Sequence, residues 1–189
     1  MSYILDYGLD SPSRGLLILI TSLFDRNKKK EMDILHIQKI IRYFEYLSDK
    51  KDIDYSNFKK GGVSYEISEN IETLLENGLV DKDKTKYRLT EEGECAAEQL
   101  KKEYDEEELQ KLSYAKFLLN DLTDDELMFF MYMVLPETQK YSTEFKSLYD
   151  RRTGLTKSLF LKGRINSDTA AKWLGISVKQ FMSTLRSSD

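Results

Sequence analysis

Three places in the chain carry side chains that could do chemistry: His36, Cys95 and the run Asp124-Asp125-Glu126. A histidine works as a general base only with a nucleophile or a carboxylate held beside it. The helical neighbours of His36 are Lys39 and Tyr43, so it reads as a hydrogen-bonding or solvent-facing residue. Cys95 lies near a helix start, where the dipole favours a thiolate, but nothing pairs with it and it reads as a core residue. The acidic run offers oxygens to a metal. At a helix N-terminus, however, the macrodipole favours carboxylates without any metal. There is no Gly-rich phosphate loop, no HExxH and no CxxC. The expectation is a protein without catalytic residues, metal or cofactor, and not an enzyme.

Chemistry of another kind lies in the cations. Residues 1–100 hold 15 Lys/Arg against 19 Asp/Glu, and residues 101–126 hold 4 against 9. Residues 127–189 reverse this, with 10 against 5. A basic C-terminal third on an acidic body is the electrostatic pattern of a polyanion binder. Within it, Lys179, Gln180, Ser183 and Arg186 fall on one face of a short terminal helix, with Arg164 and Lys172 close by and Arg151, Arg152, Lys157 and Lys162 preceding them. A second basic set, Lys82, Lys84, Lys86 and Arg88, lies on a hairpin where Asp81 and Asp83 offset part of the charge. Lys59 and Lys60 sit in the loop before it.

These side chains need elements to position them. Ser11 and Pro12 read as the N-cap and first residue of a buried helix through Leu16–Ile20. "NKKKEMD" reads as a charged connector. Asp33 caps a second helix, with Ile34, Ile37, Ile40, Ile41, Phe44 and Leu47 at 3.6-residue spacing. After a polar loop broken at Gly61-Gly62, Ser64 caps a third helix with Ile67, Ile71, Leu74 and Leu75 inward. Its outward face shows Glu66, Glu69, Asn70, Glu72, Thr73 and Glu76, with no lysine or arginine. Gly78 ends it in a left-handed conformation, and "LVDKDKTKYRLT" alternates as two short strands around a turn. Thr90 then caps a helix that, with no proline and no glycine after Gly93, is expected to run unbroken to Asn120.

A capping box from Thr123 to Glu126 restarts the chain, and Pro136 stops that helix. One further helix is expected through Phe145, Leu148, Leu155 and Leu159 to Gly163. The end of the chain has helix-turn-helix spacing, with Ala171 as the small residue, Gly175 in the turn and Phe181 in the core. Trp173 is expected to anchor that motif. The organisation predicted is mainly α: a winged-helix domain of three helices plus a two-stranded β wing (residues 1–100), a long connecting helix (101–122) and a C-terminal helical domain with the helix-turn-helix (123–189).

The single cysteine excludes an intramolecular disulfide and a cysteine-cluster zinc site. Leu16–Ile20 is far too short for a membrane span and has no cleavage pattern behind it. A cytoplasmic protein is expected.

Two resemblances follow from these residues. The stretch from Asp33 to Leu100 resembles a winged-helix domain of the transcription-regulator kind, through "ENIETLLENGLV" (Glu69–Val80) and "YRLTEEGE" (Tyr87–Glu94). Within that class, "IQKIIRYFEYLS" followed by "FKKGGVSYEISENIETLLENGLV" is similar to SocA/Panacea-type antitoxin domains. Where those carry a "YGP(Y/F)S"-like turn, this chain has Gly61-Gly62-Val63-Ser64. The segment "RINSDTAAKWLGIS" is similar to the helix-turn-helix of small antitoxin-like proteins, with Lys162, Gly163, Ile165, Ala170, Ala171, Leu174, Gly175, Ile176 and Ser177 in place. The resemblances imply a DNA-binding, antitoxin-like regulator. A homodimer is expected, because the long helix offers a surface and DNA readers of this kind usually need two half-sites. The acidic third helix argues against ordinary major-groove binding by the winged domain, since acidic side chains read only single cytosine amino groups. Duplex DNA would be met by the C-terminal motif, with the wing lysines on phosphates. The alternative is a protein-interaction adaptor whose acidic winged helix binds a basic protein.

Overall fold

The structure is a computed structural model and describes residues 12–56, 62–140 and 142–186. The expected cap at Ser11, the break at Gly61, and Lys59 and Lys60 lie outside them. The described residues are mainly helical, with one small antiparallel sheet among them. It divides into two compact units, the first reaching Ser56 and resuming from Gly62 to Asp121, the second running from Leu122 onward. No helix among the described residues is long and apolar enough to cross a membrane.

The first unit is built around α1 (Pro12–Ser22). Leu16 through Ile20 are all buried, because a helix that is apolar on every side must be covered on every side. The connector that follows is ordered rather than loose. The Asp25 carboxylate accepts from Asn27 N and Lys29 N at 2.8 Å each, and its other oxygen accepts from Asn120 Nδ2 at 3.0 Å.

The connector ends in a strand that hydrophobic alternation could not reveal, β1 (Met32–Asp33), only two residues long. α2 (Ile34–Ser48) starts where the Asp33 side chain accepts from His36 N, and α3 (Tyr65–Glu76) where Ser64 accepts from Ile67 N. β2 (Val80–Asp83) and β3 (Lys86–Leu89) form the expected hairpin. β1 adds to it as Met32↔Tyr87 and Asp33↔Lys86, giving the order β1-β3-β2. Gly78 takes φ 70° after α3. Thr90 caps the next helix through Gly93 N, and Gly93 is there for a second reason. A Cβ on it would lie 2.0 Å from the Leu79 carbonyl oxygen.

The long helix expected from Glu91 to Asn120 is two helices, α4 (Glu91–Glu103) and α5 (Glu106–Leu119). Tyr104 turns extended, and the Asp105 side chain caps α5 by accepting from Glu107 N at 2.9 Å and Glu108 N at 3.2 Å. Four consecutive acids, Asp105–Glu108, are better placed at a helix N-terminus than at mid-helix, and the dipole rewards the break. α5 belongs to the first unit. Leu112, Ala115 and Leu119 are buried with the fully enclosed Lys116, whose Nζ donates to the Ile20 carbonyl at 2.8 Å and the Lys30 carbonyl at 2.6 Å.

The second unit opens with α6 (Asp124–Val134) behind the expected capping box, and Pro136 begins a 3₁₀ turn (Pro136–Gln139). The single helix expected next is again two, α7 (Phe145–Asp150) and α8 (Arg152–Leu161). Arg151 sits at φ −94°, ψ 9° and bonds back to Leu148 at 3.1 Å, so the helical ladder slips there. α9 (Ser167–Leu174) and α10 (Val178–Arg186) complete the unit.

Candidate nucleic-acid interface

The α9–α10 pair is specified residue by residue. Asn166 caps α9 by accepting from Thr169 N at 2.8 Å. Gly175 closes it at φ 68°, ψ 31°, a left-handed conformation that costs glycine nothing, and Ile176 N then bonds the Ala171 carbonyl at 3.1 Å. Ser177 and Gln180 form a reciprocal cap on α10. Ser177 N donates to Gln180 Oε1 at 2.8 Å, and Gln180 N donates to Ser177 Oγ at 3.2 Å. Ala170, Ala171 and Phe181 are the buried centre, with Phe160, Ile165, Leu174, Ile176 and Leu185 around it. The Phe160 ring meets Phe181 edge-on at 5.1 Å. Trp173 does not belong to this centre. It is half-buried against Phe129 and Phe130 of α6, at 5.8 and 6.0 Å.

Lys172, Lys179, Gln180, Ser183 and Arg186 are exposed. Among the described residues, no ion pair engages Lys172, Lys179 or Arg186. Two of these side chains also bond within α10. The Gln180 side-chain oxygen is occupied by the cap, and Ser183 Oγ donates to the Lys179 carbonyl at 2.9 Å within the helix.

Arg164 is a correction, because it is buried at 6% exposure and cannot join a surface. Gly163 takes φ 67° at the end of α8 and Arg164 N bonds the Leu159 carbonyl. The residue in that position folds back onto the helix it follows. The other nearby cations hold the unit together: Arg151 pairs with Asp125 at 2.7 Å, Lys162 with Glu126 at 2.6 Å, and Lys157 Nζ donates to the Thr184 carbonyl at 2.6 Å. Val178 and Met182 carry no charge to draw attention in the sequence. They are exposed one helical turn apart on α10.

In the first unit, Lys82, Lys84 and Arg88 are exposed and Lys86 is half-buried. Lys86 pairs with Asp33 at 2.9 Å and Arg88 with Asp81 at 3.4 Å, while Lys82 lies over the Tyr87 ring at 5.1 Å. On α3, Glu66, Glu69, Glu72 and Glu76 are exposed, as expected. Asn70 is not: it is buried and accepts from Arg14 Nε at 2.9 Å.

The residues first weighed for catalysis have other surroundings. His36 is buried, its Nδ1 2.9 Å from Asp33 Oδ1, so a carboxylate three residues earlier stands where helical spacing suggested none. Burial opposes ionisation of Asp33, but hydrogen bonds from His36 and Lys86 outweigh it and hold the carboxyl well below its usual range. Cys95 is exposed rather than in the core, on the outer side of α4 beside the buried Ala96 and Ala97. Asp124 and Asp125 are exposed, and Glu126 is the capping-box acid. Among the described residues, no group of His, Cys, Asp and Glu is arranged to hold a metal ion.

Comparisons with protein-family models, curated proteins and solved structures return no significant match.

Proposed function

We propose that this chain is a DNA-binding regulator, antitoxin-like in kind, that meets duplex DNA through α9 and α10. The observation that carries this reading is the exposed set Lys172, Lys179 and Arg186 on two short helices locked around Phe181. Cations on a rigid pair of helices joined by a three-residue turn suit a phosphate-lined groove. Val178 and Met182 would lie against base edges there, with Ser183 alongside. In the first unit, the order α1-β1-α2-α3-β2-β3 with the sheet β1-β3-β2 supports a winged-helix reading. Lys82 and Lys84 on its hairpin would add backbone contacts, and a homodimer would present two α10 helices to two half-sites. The test is fluorescence anisotropy with random duplex DNA, comparing the intact chain with Lys179→Glu/Arg186→Glu. Binding that the double reversal abolishes is expected. Equal binding by both proteins would remove α10 from the interface.

A second reading rests on α3. Four exposed glutamates with no cation among them suit a basic protein partner better than DNA. On this reading the chain is an adaptor, and it would bind duplex DNA at no salt concentration.

A further inference from the structure

The segment between α1 and β1 carries four cations in five positions, Arg26, Lys28, Lys29 and Lys30, and its backbone is held in one shape. Asp25 ties it from within, accepting from Asn27 N and Lys29 N while Asn120 holds the other oxygen. Asp25 N also donates to the Lys29 carbonyl at 2.7 Å, and Lys28 N to the Asp25 carbonyl at 3.1 Å. Lys28 sits at φ 60°, a left-handed conformation that glycine or asparagine would take with less strain. Strain of this kind persists where the surroundings over-determine it, and it clusters at ligand-binding segments.

Two aromatic rings flank these cations in the open. Phe24 is 57% exposed and Phe117 is 44% exposed. The Arg26 guanidinium lies over the Phe117 ring at 5.5 Å, and Lys30 Nζ over the Phe24 ring at 5.0 Å. Lys30 is also paired with Glu94, and Arg26, Lys28 and Lys29 are exposed, with Glu31 the exposed acid beside them. Cations on a fixed loop between exposed rings combine the two features that bind unpaired strands: phosphate attraction and a platform for base stacking. A duplex keeps its base faces inside its own stack and has no use for such rings.

We infer that the Phe24–Lys30 loop, together with Phe117, is a binding site for single-stranded nucleic acid. This site does not depend on α10 contacting DNA. Bases would stack on Phe24 and Phe117, and Lys28 and Lys29 would take the phosphates.

The test is anisotropy of a labelled 20-mer of thymidylate with the intact chain at low salt. Lys28→Glu/Lys29→Glu, Phe117→Ala and Lys179→Glu/Arg186→Glu are run beside it, each checked for native circular dichroism. The expected result is saturable binding, weakened at least tenfold by the loop reversal and several-fold by Phe117→Ala, and retained by the α10 reversal. All three variants change exposed residues, so each should fold. The inference fails if the intact chain does not bind the strand or if the loop reversal leaves affinity unchanged. It also fails if Phe117→Ala has no effect and heparin competes as well as the strand, which would make the loop a general polyanion or acidic-protein surface. Failure of duplex binding alone would overturn the α10 reading and leave this one standing.

Discussion

Lys162 Nζ lies 2.6 Å from Glu126 Oε2, and the same carboxylate accepts from Ser158 Oγ at 2.5 Å and from Thr123 N at 2.9 Å. One acid thus closes the capping box of α6 and fixes α8 to it. Burial opposes its ionisation, but the bonds from Lys162, Ser158 and Thr123 outweigh this and bring its pKa down to about 2. A carboxyl depressed in the folded state stabilises above its unfolded pKa, and that stability is lost as pH falls toward the folded value. The second unit should therefore weaken between about pH 4.5 and about pH 2. Glu126→Gln should cost about 2–3 kcal/mol at neutral pH and flatten this acid limb, as read by urea melts across pH.

Lys116 adds a slope of the same sign at higher pH. Burial pulls its pKa down to about 7, with Asp25 partly opposing. Between about pH 7 and about pH 10 the unfolded chain binds the proton that the folded chain has released, so stability rises with pH by up to about 1.4 kcal/mol per unit. Lys116→Met should abolish that slope. Above about pH 10, where both states hold the amine neutral, it should lower stability, because the Ile20 and Lys30 carbonyls lose their donor. An unchanged slope in the variant would exclude Lys116 as its source.

Two glycines should behave oppositely. Gly93→Ala puts a Cβ 2.0 Å from the Leu79 carbonyl oxygen, which is backbone and cannot step aside. A loss of roughly 3 kcal/mol or more is expected. Gly154, in the first turn of α8, has nothing within 4 Å of its missing Cβ. Gly154→Ala should stabilise by about 0.5–1 kcal/mol. Thermal melts of the two variants check both signs.

Cys95 is exposed, so one thiol should react with a colorimetric disulfide reagent in the native protein without denaturant. Reaction only after adding urea would place it inside.

The sequence carried these features unevenly, and the reasons are physical. Caps were legible because each is a local event: Asp33, Ser64, Thr90 and Thr123 all bond amides within three residues of themselves. The hairpin was legible from its alternation, and Gly175 and Phe181 from their spacing. The breaks at Tyr104 and Arg151 were not, since neither carries proline or glycine and a cap is hidden when its acid stands in an acidic run. β1 escaped because two residues cannot show a period. Arg164 was misplaced because charge argued for the surface while a left-handed turn one residue earlier sent the chain inward. The Gln180 side-chain oxygen caps α10, a role that the Ser177–Gln180 spacing could have disclosed.

The claim most worth testing is that α10 meets duplex DNA through its cations. The measurement is the affinity for random duplex at salt concentrations from about 50 mM to about 200 mM, for the intact chain and Lys179→Ala. Lys172, Lys179 and Arg186 on phosphates should contribute about −3 per chain to the slope of log affinity against log salt, and Lys179→Ala should make the slope shallower by about 1 per chain. No binding at the lowest salt, or a slope that Lys179→Ala leaves unchanged, would contradict it and favour the acidic face of α3 as the working surface.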